Sequence, residues 1–231
     1  MKIVIIKNGK RERFNIEGLT AEEFSAFKSS CKNILQATDN ISIYKPVGET
    51  SRKLSFVLID LGLSSGTLWA DRNVGADKPE DYGDYFRFGE ITPFTEDSPE
   101  YDCDGSMESI AGTEHDAATF HFGYNCHTPT FDQINELIDE CEWKWTLFNG
   151  VNGFCVTGPN GNSIFLPAAG YRNSSSAALI SVGSDGYYWS ATPFNTYNGR
   201  SLSFLSNYWS WNFNGRVVGF SVRPVCRYSL I

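Results

Sequence analysis

The stretch SFVLIDLGLSSGTLWA, residues 55–70, shows the pattern on which most of this chain is built. Two short apolar runs, at 56–61 and 68–70, are separated by glycine and serine. Similar short apolar or aromatic segments, divided by Gly, Pro, Asn, Asp and Ser, continue to the C-terminal end. This pattern is typical of many short strands joined by long loops.

One longer segment is predicted to be a helix. Thr130 and Gln133 have the spacing of a capping box, and Pro129 precedes them. The apolar residues that follow recur at helical spacing on one face: Phe131, Ile134, Leu137, Ile138 and Cys141. The acidic stretch Thr95–Gly112 is predicted to be a surface loop. Together these features predict an α+β domain over residues 55–231.

Residues 1–50 are predicted to form a small separate module. Asn8-Gly9 follows the β-rich run 2–7 and is a strong hairpin signal. A capping box at Thr20 begins a predicted helix, and Ile41–Tyr44 is a further predicted strand. This ββαβ module either attaches or oligomerises the protein, or extends the sheet of the main domain. Residues 46–54 are a plausible linker.

Charge and composition limit the classes of partner. The net charge is −8, and no basic cluster occurs, so nucleic acid and anionic membranes are poor candidates. No apolar run approaches the ~18 residues of a membrane span. The N-terminal run is too short for a signal peptide, so we expect a cytoplasmic or virion-associated protein.

The six cysteines contain no CxxC pair, which argues against zinc-ribbon and thioredoxin-like sites. Without an export signal, we expect free buried thiols. His115, His121 and His127 share no face of a strand or helix, so no metal site is predicted. We predict no cofactor and no catalytic residues.

The segment Tyr187–Arg216 has a composition typical of contact surfaces. Ten of its thirty residues are aromatic, five are Ser and five are Asn, and Arg200 and Arg216 carry its charges. Tyr and Trp give rigid contact area, while Ser and Asn give adaptable hydrogen bonds. Ordinary strands and turns can have a similar composition. Both interpretations remain open on composition alone.

A series of motifs between residues 55 and 226 is more specific. They lie at Leu58–Ala70, Asn73–Ala76, Pro79–Phe86, Phe88–Glu90, Asp116–Ala118, Thr128–Thr130, Asn149–Gly153, Val156–Arg172, Tyr188–Ser190 and Ser221–Val225. This set resembles a bacterial family of C-type-lectin-fold domains found in Bacteroides-like gut bacteria and in the Fibrobacter paralogous family. The resemblance implies a C-type-lectin-like fold, similar to that of the formylglycine-generating sulfatase-modifying enzymes.

Within that family, the C-terminal segment resembles the variable region of diversity-generating retroelement proteins. There, error-prone copying at template adenines varies codons that end in C, which cannot encode Trp, Met, Lys, Gln or Glu. Residues 190–220 contain no Lys, Glu, Gln or Met. The resemblance therefore implies a variable region at about 187–220, with Trp209 and Trp211 as fixed scaffold positions.

Strand alternation divides this region into two faces. Trp209, Trp211 and Phe213 fall on one face, which we expect to be buried. Tyr208 and Ser210 fall on the other, which we expect to be exposed. If Phe213 is variable it breaks the alternation, and a turn or bulge would be needed there.

These arguments predict a ligand-binding or receptor-binding protein that displays a diversified surface, for which a phage or prophage origin is one interpretation. The predicted binding residues are Phe194, Tyr197, Asn198, Ser201, Ser203, Leu205, Tyr208, Ser210, Asn212, Phe213, Asn214, Val217 and Val218. The predicted scaffold residues are Trp189, Trp209, Trp211 and Arg223. The expected partner is a protein or glycan on a cell or particle surface, and residues 1–50 could support a homo-oligomer.

Two alternatives remain. A non-diversified structural or adhesive domain would have the same aromatic strands. An enzyme of the formylglycine-generating type would depend on a C-terminal thiol, and beyond Cys155 only Cys226 is present. Calcium-dependent sugar binding is disfavoured because Trp211-Asn212-Phe213 lacks the carboxylate that would bind the ion.

Overall fold

The computed structural model describes residues 56–102, 105–123 and 125–226, together with the backbone of three N-terminal strands. β1 (Lys2–Lys7) pairs antiparallel with β2 (Lys10–Asn15) and with β3 (Ile41–Tyr44), so the strand order is β2-β1-β3. β1 and β2 therefore flank the hairpin turn predicted at Asn8-Gly9. The helix predicted from Thr20 and the linker predicted at 46–54 lie outside the described residues.

The chain divides into two compact units, Met1–Leu58 with Ser229–Ile231, and Ile59–Tyr228. Strands near the start of the second unit are short, as predicted: β4 (Leu58–Asp60), β5 (Leu68–Ala70), β6 (Tyr85–Phe86) and β7 (Cys126–His127). Three longer strands, β8 (Glu142–Phe148), β9 (Val151–Thr157) and β10 (Ser163–Pro167), form an antiparallel sheet in the order β10-β9-β8. β11 (Tyr171–Arg172) pairs with β12 (Leu179–Ile180).

A five-stranded sheet carries the aromatic segment. Its longer strands are β13 (Gly186–Pro193), β14 (Asn198–Leu205) and β15 (Tyr208–Gly215). With β16 (Phe220–Ser221) they give the order β15-β14-β13-β16-β6, so β15 is an edge strand. The last strand, β17 (Val225–Cys226), lies between β5 and β7.

Two helices occur in the described part of the second unit, which is otherwise mostly β-sheet. α1 (Ala117–Phe122) was not predicted; it begins at buried Asp116, whose carboxylate accepts from the N–H groups of Ala118 and Thr119. α2 (Phe131–Glu140) begins with the predicted capping box, which is present in both directions between Thr130 and Gln133. The capping prediction is therefore confirmed.

The five-stranded sheet has an apolar cluster on each face. Leu202 and Phe204 belong to a cluster that includes Leu137 of α2 and Trp143 and Phe154 of the three-stranded sheet. The opposite face contributes to a second cluster, formed by Phe86, Phe88, Trp189, Phe220 and Val222. Because β14 has neighbours on both edges and apolar clusters near both faces, its central residues 201–204 are buried.

Arg223 ties the C-terminal end of the aromatic segment into the protein interior. Its Nε donates to Asn73 Oδ1 at 2.8 Å, Nη1 to Ala70 O at 3.1 Å, and Nη2 to Phe165 O at 2.8 Å. Burial lowers the pKa of this guanidinium to about 10. Three hydrogen bonds to different parts of the chain make Arg223 a buried cross-brace.

The expectation that all cysteines are free is wrong. Cys126 and Cys226 form a disulfide across the β7–β17 pair and close a loop with a sequence separation of 100. Cys141 and Cys155 are free and half-buried, while Cys31 and Cys103 lie outside the described residues. The two bonded cysteines are far apart in the sequence and become cross-strand neighbours only in the folded sheet. Cysteine spacing therefore could not reveal the bond.

Candidate ligand-binding surface

The β14–β15 hairpin has one continuous register. Eight residue pairs run from Asn198↔Gly215 to Leu205↔Tyr208 without a bulge. Pairing of Leu202 with Trp211 and of Phe204 with Trp209 places both tryptophans on the face that carries Leu202 and Phe204. We call the face formed by Arg200, Leu202, Phe204, Trp209, Trp211 and Phe213 the tryptophan face.

One end of the tryptophan face belongs to the core. Trp209 stacks on Trp143 with ring centroids 5.8 Å apart and contacts Phe154 at 5.4 Å. Its side chain is half-buried because β15 is an edge strand and one flank of the ring meets solvent. Trp209 thus packs as a scaffold residue, although less deeply than predicted.

The other end of the tryptophan face is open, and the prediction that Trp211 is buried is wrong. Trp211 is 41% exposed, and Phe131 at the start of α2 is 5.3 Å away, edge to face. Because α2 begins there, the helix covers the face near Trp209 but not beyond Trp211. Phe213 is 46% exposed and stacks on Phe194 at 4.2 Å. It needs no turn or bulge to reach solvent.

The opposite face is mostly accessible on β15, whereas on β14 it is buried at Ser201 and Ser203 and exposed at Leu205. Tyr208 is 56% exposed and Asn212 is exposed, as expected, while Ser210 is half-buried. Ser201 and Ser203 are buried, so the expectation that they contact a ligand at the surface is wrong. Ser201 lies opposite Trp189 of β13, and its Oγ accepts a hydrogen bond from Asn214 Nδ2 at 3.0 Å.

The β13–β14 turn extends the exposed surface. Tyr197 at its tip is 81% exposed, and the Asn195 carboxamide oxygen accepts from the N–H groups of Tyr197 and Asn198. Buried Arg216 holds this turn in place by donating from Nη2 to Asn195 O at 2.8 Å and to Ser106 O at 2.6 Å. These hydrogen bonds hold the turn in one conformation.

The structure brings eleven of the thirteen predicted binding residues to a surface that is at least partly accessible. They are Phe194, Tyr197, Asn198, Leu205, Tyr208, Ser210, Asn212, Phe213, Asn214, Val217 and Val218. Position 199 cannot contribute a variable side chain to this surface, because a side chain there would collide with the ring of Phe88. Of the predicted scaffold residues, Trp189 and Arg223 are buried, and Trp189 Nε1 donates to Phe86 O at 2.7 Å.

Sequence reasoning missed two members of the surface. Phe131 was assigned to the buried face of α2, and Arg200 was noted only as a charge. The guanidinium carbon of Arg200 lies over the ring of Phe131, 4.0 Å from its centroid, and 5.5 Å from that of Trp211. Strand alternation places Arg200 on the same face as Leu202 and Phe204. A charged residue in this apolar series could have indicated an open, functional end of the face.

The next features are the metal ligands, histidines, cysteine and helix lengths on which the alternative functions depend. In the described part of the chain, no group of three or more His, Cys, Asp or Glu side chains could hold a metal ion. His121 Nε2 lies 2.9 Å from Ile91 O, and His127 Nδ1 lies 2.8 Å from Thr128 O. Cys226, on which the enzyme alternative depends, is buried and disulfide-bonded. None of the helices in the described residues combines the length and apolar character of a membrane span.

Comparison with known proteins adds no relative: no family model, curated protein or solved structure matches this chain.

Proposed function

We propose that this protein binds a macromolecular ligand through the exposed part of its β13–β15 region, and that this surface is a diversified one on a C-type-lectin-like scaffold. The observation that carries the proposal is a concentration of exposed large apolar side chains within 21 residues. They are Tyr197, Leu205, Tyr208, Trp211, Phe213 and Val217. Exposed apolar side chains that lie together mark interaction sites in folded proteins. Here Trp211 and Phe213 share one face of the β14–β15 hairpin, and Leu205 and Tyr208 share the other.

The division between fixed and exposed positions supports diversification. Trp189, Phe220 and Arg223 flank the exposed set and are buried. The exposed apolar side chains between them lie outside the two apolar clusters, so we expect their replacement to leave the core intact. A surface that varies without disturbing the fold needs this arrangement.

The disulfide bears on where such a protein would act. Disulfides persist in oxidising surroundings and are rare in a reducing cytosol. Of the two locations predicted from the sequence, the Cys126–Cys226 bond favours the virion-associated one. A receptor-binding protein of a phage or prophage particle, meeting a protein or glycan on a cell surface, fits this combination.

A pair of display libraries tests the scaffold claim without knowledge of the ligand. One library randomises Tyr197, Tyr208, Asn212, Phe213 and Val217. The matched library randomises five buried positions of the same region: Trp189, Leu202, Phe204, Phe220 and Val222. Sorting for protease resistance should retain most of the first library and little of the second, because core truncations cost ~2–5 kcal/mol each. Equal loss from both libraries would contradict the proposal.

The DNA around the gene tests the diversification claim. We expect a near-copy of the last hundred or so bases, differing at template adenines, close to a reverse transcriptase gene. An intact locus without such a copy would leave an invariant adhesive domain as the better interpretation.

Target binding tests the surface itself once a target cell is known. Tyr208→Ala and Phe213→Ala should each weaken binding while shifting Tm by no more than ~2 °C, because both side chains are about half exposed. Unchanged binding in the double variant would show that the ligand contacts another surface.

A further inference from the structure

We propose that Arg200 anchors a carboxylate-binding site and that an acidic peptide segment of a protein partner occupies it. This inference rests on the proposed binding function and specifies the chemistry of the ligand. The site comprises the Arg200 guanidinium and the rings around it, those of Phe131, Phe194, Trp211 and Phe213. We refer to this group as the arginine cage.

Three aromatic rings of the arginine cage lie close to the guanidinium carbon. The distances from Arg200 Cζ to the ring centroids are 4.0 Å for Phe131, 5.4 Å for Phe194 and 5.5 Å for Trp211. The Phe213 ring stacks on the Phe194 ring, with the two rings nearly parallel. A guanidinium carries five N–H donors in its own plane, and an aromatic ring offers them no carbonyl or carboxylate acceptor.

The Arg200 side chain makes no hydrogen bond with any described residue. Its Nε is buried and has no hydrogen-bond partner among the described residues. Arg216 and Arg223, by contrast, donate to carbonyl oxygens of the chain. Within the described part of the chain, no carboxylate forms an ion pair with Arg200. The Nη groups of Arg200 also have no partner among the described residues and, unlike Nε, are not fully buried, so an incoming anion can accept hydrogen bonds from them.

A carboxylate fits the arginine cage better than other anions. Its planar pair of oxygens matches two parallel guanidinium N–H groups, and the surrounding rings lower the local dielectric and strengthen the contact. Arg200 is the one cation that contacts these rings among the described residues, so the cage offers a single positive charge. A phosphate dianion would leave excess negative charge on a protein whose net charge is already −8.

The neighbouring edge strand favours a peptide as the source of the carboxylate. β15 pairs with β14 over its full length and has no strand on its other side among the described residues. It contains no charged residue, no proline and no bulge, which are the features that usually block pairing at an edge. An extended peptide could therefore pair with β15 through main-chain hydrogen bonds, after displacing the Asn212 Oδ1 that accepts from Phe213 N at 2.8 Å.

One peptide could pair with the edge of β15 and place a carboxylate at the Arg200 guanidinium. Arg200 pairs with Phe213, so its backbone lies one strand spacing inside the edge. A peptide added to β15 would lie about 10 Å from the β14 backbone, at two strand spacings. The combined reach of an arginine and a glutamate side chain covers that distance across the open end of the tryptophan face.

Small probes test the carboxylate site on the full-length chain. Phenylacetate should shift the Arg200 Nε–Hε resonance and quench tryptophan fluorescence, whereas neutral phenylacetamide should do neither. Arg200→Gln should weaken phenylacetate binding at least ~10-fold, the lower end for a hydrogen bond to a charged group. Lys144→Gln removes one exposed positive charge elsewhere and should bind as the parent does. Equal binding of phenylacetate and phenylacetamide would overturn the site.

A peptide pair tests the source of the carboxylate. The probe is a blocked, strand-forming octapeptide with one central glutamate, and its twin carries glutamine at that position. We expect the glutamate peptide to bind at least ~10-fold more tightly than the glutamine peptide, glucuronate or inorganic phosphate. Tighter binding of glucuronate would overturn the peptide assignment, and tighter binding of phosphate would overturn the carboxylate assignment.

Two controls keep the outcomes separate. If Arg200→Gln does not fold, Arg200→Lys keeps the charge but loses the planar pair of donors, and it should still bind phenylacetate more weakly than the parent. Failure of the arginine cage would leave the display libraries unaffected. If both libraries lose protease-resistant members to the same degree while the parent still binds phenylacetate, the diversified function is contradicted. The carboxylate site is then still supported.

Discussion

Removing the Cys126–Cys226 disulfide should cost this protein a large part of its stability. The bond closes a loop with a sequence separation of 100, and for a loop of that length the chain-entropy relation gives ~4.7 kcal/mol. For a chain of this size, such a loss corresponds to roughly 10–20 °C in Tm. Both sulfur-bearing residues are buried, so alanine is a compatible replacement at each position.

The assay compares the parent with the Cys126→Ala/Cys226→Ala double variant, with and without a thiol reductant. The oxidised parent should unfold at the highest denaturant concentration. The reduced parent and the double variant should unfold together at a lower one, and reductant should not affect the double variant. Peptide mapping of the oxidised parent should recover the segments around Cys126 and Cys226 as one linked species.

Two results would refute the reasoning. Separate peptides in the non-reduced map would show that the bond does not form. A linked species combined with a stability change below ~1 kcal/mol would show that loop closure does not limit the unfolded chain as the entropy relation requires. A Cys155→Ala variant, which removes a free half-buried thiol, controls for the general effect of replacing cysteine.

Two further predictions concern the hairpin and a free thiol. Trp209→Ala should lower the free energy of unfolding by about 3 kcal/mol, because its ring packs against Trp143, whereas exposed Trp211→Ala should lower it by about 1 kcal/mol or less in the same denaturation assay. Equal losses would contradict the division of the tryptophan face. Burial, with smaller effects of nearby carboxylates, raises the pKa of Cys141 to about 11. Its alkylation rate, followed by mass spectrometry, should therefore rise about tenfold per unit between pH 8 and pH 10, and a plateau near pH 9 would contradict this environment.

The sequence predicted local features of the fold well. The capping box at Thr130 and Gln133, the strand positions of β14 and β15, and the sharing of one face by Trp209, Trp211 and Phe213 all depend on residues close together in the chain. Local spacing and strand alternation are sufficient for such features. These are the predictions that the structure confirms.

The errors have a common physical origin in contacts between distant segments. Alternation assigns a residue to a face but does not say how far that face is covered. Trp211 is exposed because α2 begins beside it, and Ser201 is buried because β14 lies inside a sheet with apolar clusters near both faces. The Cys126–Cys226 bond likewise depends on β7 and β17 becoming neighbours. The arginine cage combines the start of α2 with β14, β15 and the β13–β14 turn, so no local pattern could specify it.

Trp189 and Arg223 hold the exposed segment at both ends, each by hydrogen bonds from a buried side chain to distant carbonyl oxygens. Folding free energy and surface chemistry are therefore assigned to different residues in this region. A population of chains that differ only at the exposed positions would unfold within a narrow range of temperature while presenting unrelated surfaces. Selection for stable folding would act weakly on the exposed positions. Selection for ligand binding would act mainly on those same positions.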